Sequence, residues 1–148
     1  MIKHHNFKWF VYVSVVLFVL GFLGACKKEE TEIVFDVDKL KQQCNTLTLQ
    51  AVEGDVSPIY TMIKDEYKQG SSLEGFQEYL ETRLNQAEAF EEIIKSDFSQ
   101  GEHPLDKYKI GSVVNLVRFT NGLMTFTYQF NEENEMIGFA VTFEVRKF

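Results

Sequence analysis

Between residues 123 and 145 the chain alternates apolar and polar side chains almost without a fault. Met124, Phe126, Tyr128 and Phe130 are separated by Thr125, Thr127 and Gln129, and Ile137, Phe139, Val141, Phe143 and Val145 by Gly138, Ala140, Thr142 and Glu144. Successive side chains of a strand point to opposite faces, so a period of two commits both runs to strands with one apolar face. Residues 110–119 are rich in β-branched types, Asn121-Gly122 suits a two-residue hairpin turn, and residues 131–135 form a polar connection. The C-terminal half therefore predicts an antiparallel meander of three or more strands.

Upstream the period is helical. Val37, Leu40, Cys44, Leu47 and Ala51 recur at steps of three and four, with Asp36 and Asp38 at the positive start and Gly54 as a stop. A second helix is expected from Ser57 as cap and Pro58 in the first turn, with Ile59, Met62, Ile63 and Tyr67 on one side until Gly70. A third begins at Ser71 or Ser72, and Ser71-Ser72-Leu73-Glu74 fits a capping box. Its stripe is Leu73, Phe76, Leu80, Leu84, Ala87, Phe90, Ile94 and Phe98. No Pro or Gly interrupts residues 76–100, which read as one long helix or as two with a break near Ala89. Helices first and sheet afterwards define an α+β class: two or three helices packed on a C-terminal antiparallel meander.

The N-terminus is of another kind. Lys3 and Lys8 precede an almost unbroken apolar run over residues 9–25, closed by Leu23-Gly24-Ala25-Cys26. A basic start, an apolar middle and a small-residue end make a secretory signal peptide. The closing tetrapeptide resembles the lipobox of bacterial lipoproteins. That resemblance implies diacylglyceryl transfer to the Cys26 sulfur, cleavage between Ala25 and Cys26, and acylation of the new amino terminus. The rival is an uncleaved membrane helix, for which seventeen residues lie at the short edge of the roughly 20 that span a bilayer. Lys27-Lys28-Glu29-Glu30 resembles the surface-export signal of Bacteroidota lipoproteins, and a solvated charged tether is the plainer reading. The chain divides on this basis into a signal peptide (1–25), a lipidated tether (26–35) and one α+β domain (36–148). It is expected to be held at an outer membrane, surface-facing or periplasmic.

Cleavage removes Lys3 and Lys8 from the 15 basic residues and none of the 22 acidic ones, leaving a net charge of −9. A body so negative argues against nucleic acid as partner, since such binding rests on basic neutralisation of phosphates. With Cys26 taken by lipid, Cys44 is left without a partner in an exported chain, and its place on the apolar stripe of the first helix favours burial.

Helices followed by an aromatic, alternating meander resemble the NTF2-like and cystatin-like α+β folds in element order. No motif accompanies that likeness, and no site is carried over from it.

Residues for chemistry are sparse. His103 in Gly101-Glu102-His103-Pro104 is the one histidine after the leader, with no second histidine or CxxC to make a metal centre. No GxSxG elbow or glycine-rich phosphate loop is present. Residues 131–135 lack the spacing of an EF-hand loop. No metal and no cofactor are expected. The remaining candidate is the apolar sheet face, where Phe126, Tyr128, Phe130, Phe139 and Phe143 either pack under the helices or line a hollow for an apolar ligand, with Tyr128 as its polar handle. The chain thus reads as a lipid-anchored binding module without catalysis, for a protein partner or a small apolar ligand. A small hydrolase, or a surface inhibitor or immunity-type protein, is the alternative.

Overall fold

Every strand pairs with its neighbour in sequence. The computed structural model describes residues 34–146, so the leader, the lipobox and residues 26–33 of the tether fall outside the described residues. Within them lie helices α1 (Val37–Val52), α2 (Ser57–Met62) and α3 (Leu73–Leu84), then strands β1 (Phe90–Glu102), β2 (Lys109–Phe119), β3 (Gly122–Phe130) and β4 (Met136–Val145). The four strands form one antiparallel sheet in the order β1-β2-β3-β4. All three helices bury residues in the one core beside the sheet. This is the α+β architecture expected, with one more strand than the three evident in the alternation. Among the described residues no helix is long and apolar enough to cross a membrane.

α1 follows its stripe. Asp36 caps it by accepting from the Lys39 N–H at 3.3 Å, and Leu40, Cys44, Leu47 and Ala51 are buried together with Thr48. Gly54, at φ 98°, takes the left-handed turn that ends it. α2 departs from expectation. Ser57 does not cap it; its hydroxyl donates to Asp55 Oδ1 instead. Nor does the helix reach Gly70. Ile63 turns extended and bridges Met136, and the Lys64 N–H donates to the Met136 carbonyl at 3.0 Å. Residues 65–67 make only a 3-10 turn. Pairing with the start of β4 wins over the local preference. Of the two expected starts α3 takes Ser72, one residue later than the capping box requires: Ser72 accepts from the Gly75 N–H at 3.1 Å, while Ser71 donates to the Lys68 carbonyl.

The long helix expected over residues 76–100 is helix and then strand. α3 stops at Leu84, and the connection to β1 is gripped by the β2–β3 turn. Asn121 donates through Nδ2 to the Gln86 carbonyl and accepts from the Glu88 N–H, each at 2.9 Å; the Thr120 N–H donates to the Ala89 carbonyl at 3.0 Å. The strand carries two bulges, and Ile94 of the expected stripe falls at one of them, off the inner row. Phe90, Ile93, Ser96 and Phe98 pair with Phe119, Val117, Asn115 and Val113, so they share the inner face, and the register skips at Glu91 and Ile94. Each bulge inserts one residue, giving an inner row with steps of three, three and two.

Two smaller corrections concern the strands. The β2–β3 turn consists of Thr120 and Asn121, with Gly122 already paired to Phe119 as the first residue of β3. A bulge at Ile137 shifts the start of β4, so Met136, at 1% exposure, takes the inner position that Ile137 was expected to fill.

Candidate functional site

β3 carries the inner aromatic row into the middle of the core. Phe126, Tyr128 and Phe130 are wholly buried, while Phe139 and Phe143 on the edge strand β4 are partly so. Phe139 gathers the row: its ring lies 5.2 Å from Tyr128, 6.3 Å from Phe126 and 5.8 Å from Phe76 of α3. Phe143 packs edge-on to Phe119 at 6.4 Å. The structure thus brings all five aromatic candidates onto one face, where Phe139 contacts Phe126, Tyr128 and Phe76 of α3, and all five belong to or pack against the buried core.

A polar cluster sits inside this apolar face. Thr48 Oγ1 of α1 lies 2.8 Å from the Tyr128 hydroxyl and accepts from Asn115 Nδ2 at 2.9 Å, all three residues being fully buried. Burial pushes the Tyr128 phenol upward in pKa, so it stays neutral and keeps its proton for hydrogen bonding. Tyr128 was legible as a polar handle; Thr48 and Asn115 were not singled out. The available signal was a lone asparagine between Val113 and Val117 on the inner row of β2. Thr48→Val removes the shared partner and strands both the Asn115 amide and the Tyr128 hydroxyl. It should destabilise the domain by about 2–3 kcal/mol in urea titrations, and Tyr128→Phe by only about 1 kcal/mol. Equal losses would show that Thr48 is not the shared partner.

The other candidates do not converge on this cluster's chemistry. Cys44 is buried on α1, and burial raises its thiol to about 12, so it is held protonated. His103 lies in the β1–β2 loop, stacked on Tyr108 at 4.7 Å, with its Nδ1 accepting from the Asp106 N–H. In the β3–β4 connection Glu135 pairs with Lys64 at 2.7 Å, which lowers the carboxyl's pKa and raises the amine's. Among the described residues no group of three or more His, Cys, Asp or Glu side chains is placed to hold a metal. Ala25 and Cys26 lie outside the described residues.

Two surfaces remain. A cleft of about 380 Å³ opens where α1 and α3 end, lined by Ala51, Val56, Leu84 and Asn85 with Glu53 and Glu81 at its polar side. The outer face of the sheet carries Val114, Leu116, Leu123, Thr125 and Thr127 in partly exposed positions, on the side opposite the buried rows of β2 and β3.

A helical layer on a four-stranded antiparallel meander defines the class as a small α+β domain. An NMR structure of a protein from Ruminococcus gnavus ATCC 29149 is similar, with a TM-score of 0.57 and 20% identity, over 79% of this chain and 99% of that one. That likeness is one of fold. Residues 46–139 match the family described as "Protein of unknown function (DUF3887)", and the chain belongs to that family. No curated protein matches it.

Proposed function

We propose that the chain is a lipid-anchored extracytoplasmic binding module whose ligand is a protein partner rather than a small apolar molecule. The observation that carries the choice is the complete burial of Phe126, Tyr128 and Phe130. Their rings are in contact with neighbouring side chains, which leaves the docking of a partner to the outside of the domain. Support comes from the outer sheet face, where aliphatic Val114, Leu116 and Leu123 stand among threonines. The net charge of −9 after cleavage suits a partner with a basic rim, since complementary charge speeds and orients encounter. Attachment through Cys26 rests on the lipobox resemblance; two or more acyl chains would make it durable.

The anchor is tested by phase separation in Triton X-114. The native chain should enter the detergent phase, and Cys26→Ser should persist as a larger, unlipidated precursor. An unchanged mass and unchanged extraction for that variant would favour an uncleaved helix. The partner is tested by photo-crosslinking from position 116 against a control at Lys39 on α1. A discrete adduct from the sheet face alone is expected. Stoichiometric binding of a hydrophobic dye, lost in a folded Phe126→Ala variant, would move the reading to an apolar ligand.

A further inference from the structure

The first described residues and the β1–β2 loop lie at the same end of the sheet. Phe35 packs on Phe98 near the end of β1, with ring centroids 5.6 Å apart, and a β-carbon on Gly111 near the start of β2 would meet the Phe35 ring at 2.9 Å. The Asp36 N–H donates to Asn134 Oδ1 in the β3–β4 connection at 3.2 Å. From this end projects the loop between Glu102 and Lys109, on which Leu105 is 84% exposed, against 67% for Val145 and 43% for Val34. The loop is firmly closed. The His103 N–H donates to the Tyr108 carbonyl at 2.8 Å and the Lys107 N–H to the His103 carbonyl at 3.0 Å, beneath the stacked His103 and Tyr108 rings. Leu105 is thus held out into solvent by an ordered turn, which has little freedom left to lose on contact with a partner.

We propose that Leu105 seats in the surface of the lipid bilayer that anchors the chain, which makes this loop end the membrane-facing pole of the domain. The inference rests on the attachment through Cys26 proposed above. Residues 26–33 are eight in number and reach at most about 26–29 Å when fully extended. Strand β2, with 11 residues, is about 35 Å long. So short an attachment keeps the end carrying Phe35 and Leu105 closer to the bilayer than the β2–β3 turn. A single leucine holds a bilayer weakly from free solution, but a tethered loop meets it at an effective concentration of about millimolar. Charge selects the lipid. Glu102 and Asp106 offset Lys107 and Lys109 on the loop, while Glu132 and Glu133 stand in the adjoining β3–β4 connection. The surface that suits them is zwitterionic, since anionic lipid attracts basic segments and repels acidic ones. The tether delivers a bilayer to this end and no protein, which decides between those two occupants. The outer face of the sheet is left at the side, open to the protein partner.

The test places the lipidated chain in phosphatidylcholine vesicles. Cleavage after Ala25 removes Trp9, the only tryptophan of the sequence, so a tryptophan introduced by Pro104→Trp reports alone. Its emission should shift to the blue and be quenched by bromine carried on the lipid acyl chains. Val145→Trp, beside Gly122 at the opposite end of the sheet, should show neither effect. Adding Leu105→Asp to Pro104→Trp should return the signal to that of the Val145 control, and replacing part of the phosphatidylcholine with phosphatidylglycerol should not strengthen the quenching. Flotation of the same vesicles reads the anchor by itself. Protein that floats with an unquenched Pro104→Trp reporter would overturn the seating of the loop and leave the anchor standing; protein that does not float would overturn both. Quenching that survives Leu105→Asp would remove the leucine from the contact. A blue shift that needs envelope proteins, and is absent on pure lipid, would give the loop to a protein partner instead.

Discussion

Phe126→Ala should lower the unfolding free energy by about 3–5 kcal/mol, the range for truncating a buried phenylalanine. Phe126 is wholly buried in β3, paired with Asn115 on one side and Val141 on the other, so no chain end is free to collapse into the gap. Domains of this size are stable by about 5–15 kcal/mol, and the variant should sit near the threshold of folding. Phe139→Ala is the comparison. Its ring touches three others, yet it lies partly open on the edge strand, and its loss should amount to about half as much by the area it buries. Urea titrations followed by far-ultraviolet circular dichroism read both. A Phe126→Ala variant within 1 kcal/mol of the native chain, on the scale where mutational effects are ordinarily small, would mean that the row is not close-packed.

Gly122→Ala is expected to destabilise the domain by about 2–3 kcal/mol, at the upper end of the ordinary cost of overpacking. A β-carbon at this position would meet the backbone carbonyl of Glu144, and the Phe143 ring at 2.9 Å. The ring could swing aside; the carbonyl belongs to the strand paired with Gly122 and its neighbours. The turn would have to open, and with it the grip of Thr120 and Asn121 on residues 86–89. Backbone amide exchange at Glu88 and Ala89 should accelerate in this variant well beyond what global destabilisation produces. Matching acceleration throughout the sheet would show that the turn and the connection are not coupled.

How much of this was readable from the amino-acid order depended on which residues met a partner close by. β3 and β4 are legible because a straight strand in a half-buried sheet prints its period directly. α1 is legible because four of its five stripe residues are buried. β1 was hidden because its apolar residues Phe90, Ile94 and Phe98 recur every four positions although Ile94 lies at a bulge and off the inner row, and what ends α3 is a set of hydrogen bonds from Asn121, more than thirty residues away. The shortness of α2 has the same origin in the Lys64 to Met136 bond. Of the candidate site, the aromatic row was visible and its polar centre was not, since Thr48 on a helix and Asn115 on a strand acquire meaning only when α1 is laid across β2.

The bulges of β1 have a consequence for solubility. An unpaired strand at the margin of a sheet is a template on which other chains assemble, and a flat strand of thirteen residues would be a long one. At Glu91 and Ile94 the spacing of donors and acceptors breaks, so an incoming strand finds no continuous register over the first half of β1. The irregularity at Glu91 and Ile94 also denies a second copy of the chain a continuous edge to pair with along this half of the strand.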